Sequence, residues 1–232
     1  MMKDFKELEK LIGIKFKDQS LLNHAFVHRS YLNECEDEDI KSNERLEFLG
    51  DAVLELISTD HLFRNHPEQT EGEMTNFRSA LVKGANLAVV ARELDLGKYL
   101  YLSHGEENSG GRTKSYILAN TTEALIGAIY MDQGYDESKK FITKFILNKL
   151  DEVIEKKLHI DSKTSFQEIV QEKEEVTPSY KVLKEEGPDH DKVFEAGAYI
   201  NDELIATGKG SSKQAAEEEA ARNALIKKEW TK

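Results

Sequence analysis

The sequence predicts an all-α domain followed by a small α+β domain with the element order α-β-β-β-α. Apolar residues recur at helical spacing through the first two thirds of the chain, without a strand pattern among them. Around residues 159–164 the pattern changes, and segments that alternate between apolar and polar residues follow. We therefore place the two domains at residues 1–158 and 162–230.

Composition describes an ordinary globular protein. Of its 232 residues, 39% are hydrophobic and 33% are charged, and no apolar run is long enough to span a membrane. The single cysteine, Cys35, excludes an intramolecular disulfide and fits a reducing cytoplasm, and the charged first ten residues do not resemble a secretory signal. We expect a cytoplasmic protein without a membrane partner.

The net charge of −12 argues, taken alone, against a nucleic-acid partner, because phosphate contacts normally require a basic surface. Two effects oppose this argument. Acids gathered at a metal site favour binding once cations are present, and a local basic patch acts within a Debye length of about 8 Å. Any binding to a polyanion should be modest and sensitive to salt.

The first elements are helices. Residues 4–12 and 16–34 each show helical spacing, and Asp18 or Ser20 is suited to begin the second helix. His28, near the end of that helix, is either a substrate contact or a hydrogen-bonded structural residue, and we favour the structural role. Arg29 is suited to pair with the acidic helix that follows.

The stretch from Asn43 to Ile57 reads as a mostly buried helix that carries three acids on one face, and the helix should continue to about Asn65. Glu44, Glu47 and Asp51 fall within an arc of about 60°. Burial of three like charges is costly unless ion pairs, hydrogen bonds or a metal offset it. A divalent cation is the simplest solution.

A second apolar helix, residues 116–132, repeats this feature. Asn120 and Glu123 share one face, with Gly127 one turn beyond. If the two helices pack together, four side chains would direct oxygen ligands to one point: Glu47, Asp51, Asn120 and Glu123. Hard oxygen donors without histidine or cysteine suit Mg²⁺ or Mn²⁺, and nucleases use such sites to act on phosphates.

The rest of the first domain is also predicted to be helical. Glu71, at the start of one helix, is either a partner of the helix dipole or a further acid near the metal, and Arg78 on the same helix should be structural. A helix over residues 87–96 precedes a Gly- and Ser-rich segment, residues 103–115, which we expect to be a flexible loop. A final amphipathic helix covers residues 135–156.

The second domain contains five predicted elements. They are a helix at 165–173, strands at 180–186, 193–200 and 203–208, and a helix at 212–230. Val193, Ala196, Ala198 and Ile200 alternate, which predicts a strand covered on one side. A stripe of alanines allows the last helix to lie close to the sheet.

Four strings in order, NERLEFLGDAVL, EGEMTNFRSALV, GEENSGGR and ANTTEALIGAIYMDQG, resemble those of the bacterial ribonuclease III family over nearly the whole chain. The resemblance implies a homodimer that hydrolyses double-stranded RNA with one metal site per protomer, leaving 5′-phosphate, 3′-hydroxyl and short 3′ overhangs. The resemblance also implies that its substrates are precursors of ribosomal and messenger RNA. The resemblance assigns catalysis to Asp51 and Glu123 and makes Glu44 and Glu71 candidate accessory acids. It also implies that Phe48 packs into the partner subunit, although Phe48 is also suited to an ordinary core position.

The C-terminal part resembles a double-stranded RNA-binding domain, with matches that include Pro178, Gly187, Phe194, Gly208, Ala216 and Glu217. The resemblance implies that Gln167, Glu168 and His190 contact minor-groove hydroxyls, and that Ser212 and Lys213 contact phosphate. From residue 161 onward there are 11 Lys and Arg against 16 Asp and Glu, a net charge of −5. Binding by this domain alone should be weak, and a role in protein contact is the alternative.

Asn120 departs from the family, which usually has aspartate there. An amide keeps one oxygen ligand but removes a negative charge, so metal affinity should fall. We expect an active enzyme with a higher Mg²⁺ requirement. The alternatives are a catalytically impaired protein that binds double-stranded RNA and an acidic scaffold for other proteins; the three remaining acids argue against the first, and the paired motifs against the second.

Overall fold

The computed structural model describes residues 3–37, 39–155, 162–187 and 192–230. The chain forms two compact units, Met1–His159 and Ile160–Lys232, and each has its own hydrophobic core. The domain bounds 1–158 and 162–230 stay a prediction, because the junction at residues 156–161 lies outside the described residues. No helix in the described part is long and apolar enough to cross a membrane.

The first unit is helical, which confirms the predicted class. Its helices are α1 (Lys6–Ile12), α2 (Gln19–His24), α3 (Glu44–Asn65), α4 (Glu71–Val82), α5 (Gly84–Glu93), α6 (His104–Asn108), α7 (Ser115–Gln133), α8 (Tyr135–Phe145) and α9 (Leu150–Glu155). Short 3₁₀ turns lie at Arg29–Asn33, Leu96–Tyr99, Gly111–Thr113 and Leu147–Lys149.

Two helices predicted as continuous are interrupted. The segment 16–34 leaves helical geometry after His24, because Val27 pairs in parallel with Tyr101 and the backbone N–H of Tyr101 donates to the carbonyl of Phe26 at 2.9 Å. The segment 135–156 breaks after Phe145 into a 3₁₀ turn and α9. In the first case a distant segment takes the hydrogen-bonding groups of the backbone, which local periodicity does not report.

The segment at residues 103–114 is ordered, so the prediction of a flexible loop was wrong. It contains α6 and a 3₁₀ turn, tied by ion pairs from Lys114 to Glu106 at 2.6 Å and from Arg112 to Glu107 at 2.7 Å. The Arg112 guanidinium also donates to the carbonyl oxygens of Gly97 (3.0 Å) and Leu100 (2.9 Å). The charged residues of this motif therefore hold the segment that leads into α7.

α3 ends at Asn65 as predicted, but its burial differs from expectation. Asn43 precedes α3 without a side-chain cap, and its buried amide donates to the carbonyl of Ala25 at 2.9 Å. The expectation of a mostly buried helix was also wrong for one face, where Phe48, Leu56 and Phe63 are exposed.

The second unit has the predicted order α-β-β-β-α. Its elements are α10 (Ser162–Glu174), β1 (Ser179–Glu186), β2 (Val193–Ile200), β3 (Glu203–Gly210) and α11 (Lys213–Lys227), and the strands form an antiparallel sheet in the order β1-β2-β3. On β2, Ala196, Ala198 and Ile200 are buried as predicted, whereas Val193 is exposed. A methyl group on Gly208 would lie 2.2 Å from the backbone nitrogen of Ala220, so β3 and α11 are in backbone contact.

Candidate active site

The two acid-bearing helices, α3 and α7, cross at a pair of glycines. A methyl group on Gly50 would lie 1.8 Å from the carbonyl oxygen of Glu123, and one on Gly127 would lie 2.1 Å from the carbonyl oxygen of Leu46. Real side-chain carbons do not approach backbone atoms so closely, so no other residue fits either position without moving a helix. The crossing therefore brings the two helix backbones into direct contact.

The predicted ligands lie beside this crossing. On α3, Glu47 is half-buried and Asp51 is exposed, on either side of Gly50 in sequence; on α7, Asn120 and Glu123 are both partly buried. The helix contact thus brings together two positions from each helix that are about 70 residues apart in the chain.

The acids repel one another. Burial, followed by repulsion from Asp51 and then from Glu47, raises the pKa of Glu123 to about 7. Burial also raises the pKa of Glu47, an effect that the Asn120 side chain opposes and that Glu44 reinforces. Within the described part of the chain, none of Glu47, Asp51 and Glu123 forms an ion pair. The site therefore concentrates acids that repel one another, and the charge of Arg29, which lowers the pKa of Glu47, offsets this repulsion only in part.

The donor chemistry fits a divalent cation, although the side chains do not converge on one point. Among the residues that the structure describes, no three His, Cys, Asp or Glu side chains are arranged to hold a metal ion. Like charges repel, and this repulsion favours separation of the carboxylates. Carboxylate and amide oxygens in a site with uncompensated negative charge are what Mg²⁺ and Mn²⁺ prefer.

The residues predicted to contact RNA lie on the second unit. Gln167 and Glu168 are exposed on α10, and the Ser212 hydroxyl caps α11 by accepting from the backbone N–H of Ala215 at 3.1 Å. Lys213, the first residue of α11, is exposed. His190 lies outside the described residues. The side chains of Gln167, Glu168, Ser212 and Lys213 are accessible to a ligand, and the position of His190 stays a prediction.

Comparison with known proteins identifies both units. Residues 18–150 match the family model described as ribonuclease-III-like, and residues 162–228 match the double-stranded RNA binding motif. The chain belongs to the ribonuclease III family. It is therefore an endoribonuclease specific for double-stranded RNA, as the sequence predicted.

Relatives in this ribonuclease III family cover nearly the whole chain. Ribonuclease 3 of Pelotomaculum thermopropionicum is 45% identical over 220 residues, which cover 95% of this chain and 91% of the relative. Ribonuclease 3 of Carboxydothermus hydrogenoformans is 47% identical over 218 residues, covering 94% and 93%. The solved nuclease domain of ribonuclease III from Campylobacter jejuni, described as flexible in a region involved in dimer formation, is 38% identical with a TM-score of 0.58, covering 62% of this chain and 97% of that one.

Within this ribonuclease III nuclease unit, one face of α3 is apolar and exposed. The side chains of Phe48, Leu56 and Phe63 are 81%, 58% and 71% exposed and fall within about 80° of arc. Of the two roles left open for Phe48, an ordinary core position is excluded, because a core side chain would be buried. The role that stays open for Phe48 is contact with a partner subunit.

The candidate accessory acids are both exposed. Glu44 lies 3.7 Å from Arg29, the ion pair that the sequence suggested. Glu71 begins α4, accepts from the Thr75 hydroxyl at 3.2 Å, and borders a cleft of about 180 Å³. Glu44 contributes to the raised pKa of Glu47, whereas Glu71 is not among the charges that shift Glu47 or Glu123. The structure therefore brings Glu44, and not Glu71, near the acids of its own protomer.

Two other predicted structural residues have structural contacts. The ring Nδ1 of His28 lies 2.9 Å from the Ser30 hydroxyl, and burial lowers the pKa of His28. The guanidinium of Arg78 forms an ion pair with Glu55 at 2.8 Å and donates to the Thr59 hydroxyl at 2.9 Å, which ties α4 to α3. These contacts favour the structural roles predicted for both residues.

Sequence reasoning missed Gly50, although it noted Gly127. The signal was present, because each glycine stands three or four residues after a predicted ligand, within an otherwise apolar helix. Glycine costs about 1 kcal/mol relative to alanine inside a helix, so its presence there points to a close contact. Pairing the two glycines would have predicted the crossing.

Proposed function

We propose that this ribonuclease III family member is a homodimeric, Mg²⁺-dependent enzyme, with Mn²⁺ able to replace Mg²⁺. In this proposal Glu47, Asp51, Asn120 and Glu123 hold the ion. The supporting observation is the uncompensated charge at the α3–α7 crossing, where Asp51 exerts the largest charge effect on Glu123. We assign the catalytic role to these two residues, one from each helix.

The chemistry that such an ion supplies when bound is neutralisation of charge on the scissile phosphate and activation of a water molecule as the nucleophile. The chain's own residues determine where this happens. Asp51 and Glu123 supply carboxylate oxygens from two helices fixed by backbone contact, which limits their freedom of movement. Hydrolysis would leave a 5′-phosphate and a 3′-hydroxyl.

We infer that the exposed face of α3, defined by Phe48, Leu56 and Phe63, forms the dimer interface. Three large apolar side chains on one face are costly to leave in water. A second copy of the chain would bury them and place one acid site on each strand of a duplex, with staggered cuts giving short 3′ overhangs. The Campylobacter jejuni nuclease domain is described as having a region involved in dimer formation, which supports a dimer of this chain.

For RNA binding, we propose that Gln167, Glu168 and His190 contact minor-groove hydroxyls and that Ser212 and Lys213 contact phosphate. A capped helix N-terminus with an adjacent lysine favours a phosphate. The net charge of −5 from residue 161 onward predicts weak, salt-sensitive binding. Precursors of ribosomal and messenger RNA in the cytoplasm are the proposed substrates.

Cleavage of a long RNA duplex across a Mg²⁺ titration tests the metal site. Asn120→Asp should lower the Mg²⁺ concentration for half-maximal rate by about tenfold, because a carboxylate replaces a neutral amide. Glu123→Ala should abolish cleavage. Asp151→Asn, which removes an exposed acid on α9, is the matched control and should leave the titration unchanged.

The same titration separates the enzyme from a catalytically impaired RNA-binding protein. If the chain binds duplex without cutting at any Mg²⁺ concentration while Asn120→Asp restores cleavage, its role is RNA binding. If Glu123→Ala cuts as fast as the unsubstituted chain, the assigned ligands are wrong. Mg²⁺-induced change in the melting temperature gives a second readout, which Glu123→Ala should reduce.

The dimer inference is tested by sedimentation. Phe48→Glu should convert the dimer to a monomer, because a charge replaces the most exposed apolar side chain of the proposed contact. Leu11→Glu changes an exposed apolar side chain on α1 and should leave the dimer intact. A Phe48→Glu protein that still sediments as a dimer would place the interface on another surface.

A further inference from the structure

The lysine that begins α11 is already engaged within its own unit. The amine of Lys213 lies 2.9 Å from Oε1 of Glu185, near the end of β1. The other oxygen of that carboxylate lies 3.9 Å from the amine of Lys192. Lys213 also lies over the ring of Phe194, 5.7 Å from its centre, and Phe194 pairs with Glu185 in the sheet. One carboxylate thus holds the lysine toward the sheet from the adjacent strand.

This ion pair is exposed to water. The side chains of Lys213 and Glu185 are 59% and 39% exposed, and the lysine holds the pKa of Glu185 below its usual range. Exposed pairs contribute little to stability because water and salt compete with them. A phosphate can therefore displace the carboxylate, but the affinity for the phosphate is reduced by whatever the pair contributes.

A phosphate bound by Lys213 would also lie near the carboxylate of Glu185. The Lys213 amine and Glu185 Oε1 are in direct contact, so any anion that the amine binds approaches a like charge unless the Glu185 side chain moves away. Displacement and repulsion act in the same direction. Both make binding weaker than it would be with an uncharged side chain at residue 185.

We propose that Glu185 restrains Lys213 and thereby sets the affinity of this enzyme for RNA duplexes. The proposal rests on the proposed function, in which Lys213 contacts phosphate. Glu185 acts through Lys213 and is a positioning residue. Its effect must therefore disappear when Lys213 is removed, which distinguishes it from a general effect of negative charge.

The test measures binding of the full-length chain to an RNA duplex longer than the ~16 base pairs that one such domain spans, in EDTA so that no duplex is cut. Glu185→Gln removes the restraining carboxylate. Glu186→Gln is the matched control, because it removes the same charge from the next, exposed residue of β1, whose carboxylate forms no ion pair with a described residue. Lys213→Gln and the double variant Glu185→Gln/Lys213→Gln complete the cycle.

Glu185→Gln should tighten binding about threefold to tenfold relative to Glu186→Gln. In the Lys213→Gln background, that gain should fall to the small gain given by Glu186→Gln. Lys213→Gln alone should weaken binding and reduce the slope of log affinity against log salt by about one.

Two failures are distinguishable. If Lys213→Gln weakens binding but Glu185→Gln and Glu186→Gln behave alike, the restraint is overturned while the RNA role of Lys213 stands. If Lys213→Gln changes neither affinity nor salt slope, the RNA role of Lys213 is wrong and the restraint is overturned with it. Melting temperatures of Glu185→Gln and Glu186→Gln within about 1 °C of each other would show that both proteins are folded.

Discussion

At the α3–α7 crossing, Glu47, Asp51 and Glu123 form no ion pair with any described residue, and repulsion from the other two acids helps to raise the pKa of Glu123. On the second unit, Lys213 is paired with Glu185 at 2.9 Å. The first arrangement has no internal ion pair, which suits the cation site that we propose. The second neutralises its charge internally, so the proposed contact with an RNA phosphate would compete with the chain's own carboxylate.

This difference has a structural basis. The acids project from two helices whose backbones touch at Gly50 and Gly127, so the backbone positions that carry them cannot separate without a change in the helix packing. The lysine of the second unit lies on the surface, where its side chain is free to find the nearest carboxylate. Rigid backbone contact therefore maintains repulsion in one unit, while side-chain freedom relieves it in the other.

The largest effect should come from opening the helix crossing. Gly50→Ala should destabilise the first unit by at least about 3 kcal/mol, because its methyl group would lie 1.8 Å from the Glu123 carbonyl oxygen. Gly72→Ala on α4 is the control: its methyl group meets nothing within 4 Å and should stabilise by about 0.5 kcal/mol. Thermal unfolding followed by circular dichroism measures both; equal stabilities would show that the crossing does not require glycine.

A smaller effect should appear as pH dependence. The folded-state pKa of Glu123 is about 7, above its usual 4.5, so the folded state binds this proton more tightly than the unfolded state does. The contribution to stability is present below pH 4.5 and is lost as pH rises through about 7. Without divalent cations, Glu123→Gln should therefore become more stable than the unsubstituted chain at pH 8, by about 1 to 2 kcal/mol after allowance for solvent screening.

Melting temperatures of the two proteins at about pH 5 and pH 8 check this prediction. The quantity to compare is the difference between the proteins, because other groups with shifted pKa values, including His28 and Glu47, contribute to the pH dependence of stability in both. If the difference in melting temperature between the two proteins does not grow with pH, burial and the neighbouring acids do not raise the pKa of Glu123.

The smallest effect should follow the same chemical change in the second unit. Glu185→Gln should lower the melting temperature by at most about 1 °C, because it removes an exposed attractive pair. Removal of an acid would thus stabilise one unit and slightly destabilise the other. A rise in melting temperature for Glu185→Gln, as large as that for Glu123→Gln, would remove the distinction between the two regions.

Much of this architecture could be predicted from local patterns. The extent of α3 to Asn65, the order of the second unit and the positions of the four proposed ligands all follow from periodicity and spacing. The prediction failed where a segment depends on a distant one. The helix expected at 16–34 is broken by pairing of Val27 with Tyr101, and the expected flexible loop is held by Arg112.

By itself, the sequence determined which residues are the candidate ligands, because acid and amide side chains at helical spacing on apolar helices mark one face regardless of what packs there. Only the tertiary structure decided how close those faces come and which charges remain unpaired. Gly50 and Gly127 are 77 positions apart, and the absence of two methyl groups there sets the approach of the helices. Likewise, Lys213 is basic in the sequence but paired in the fold, because β1 places Glu185 beside it.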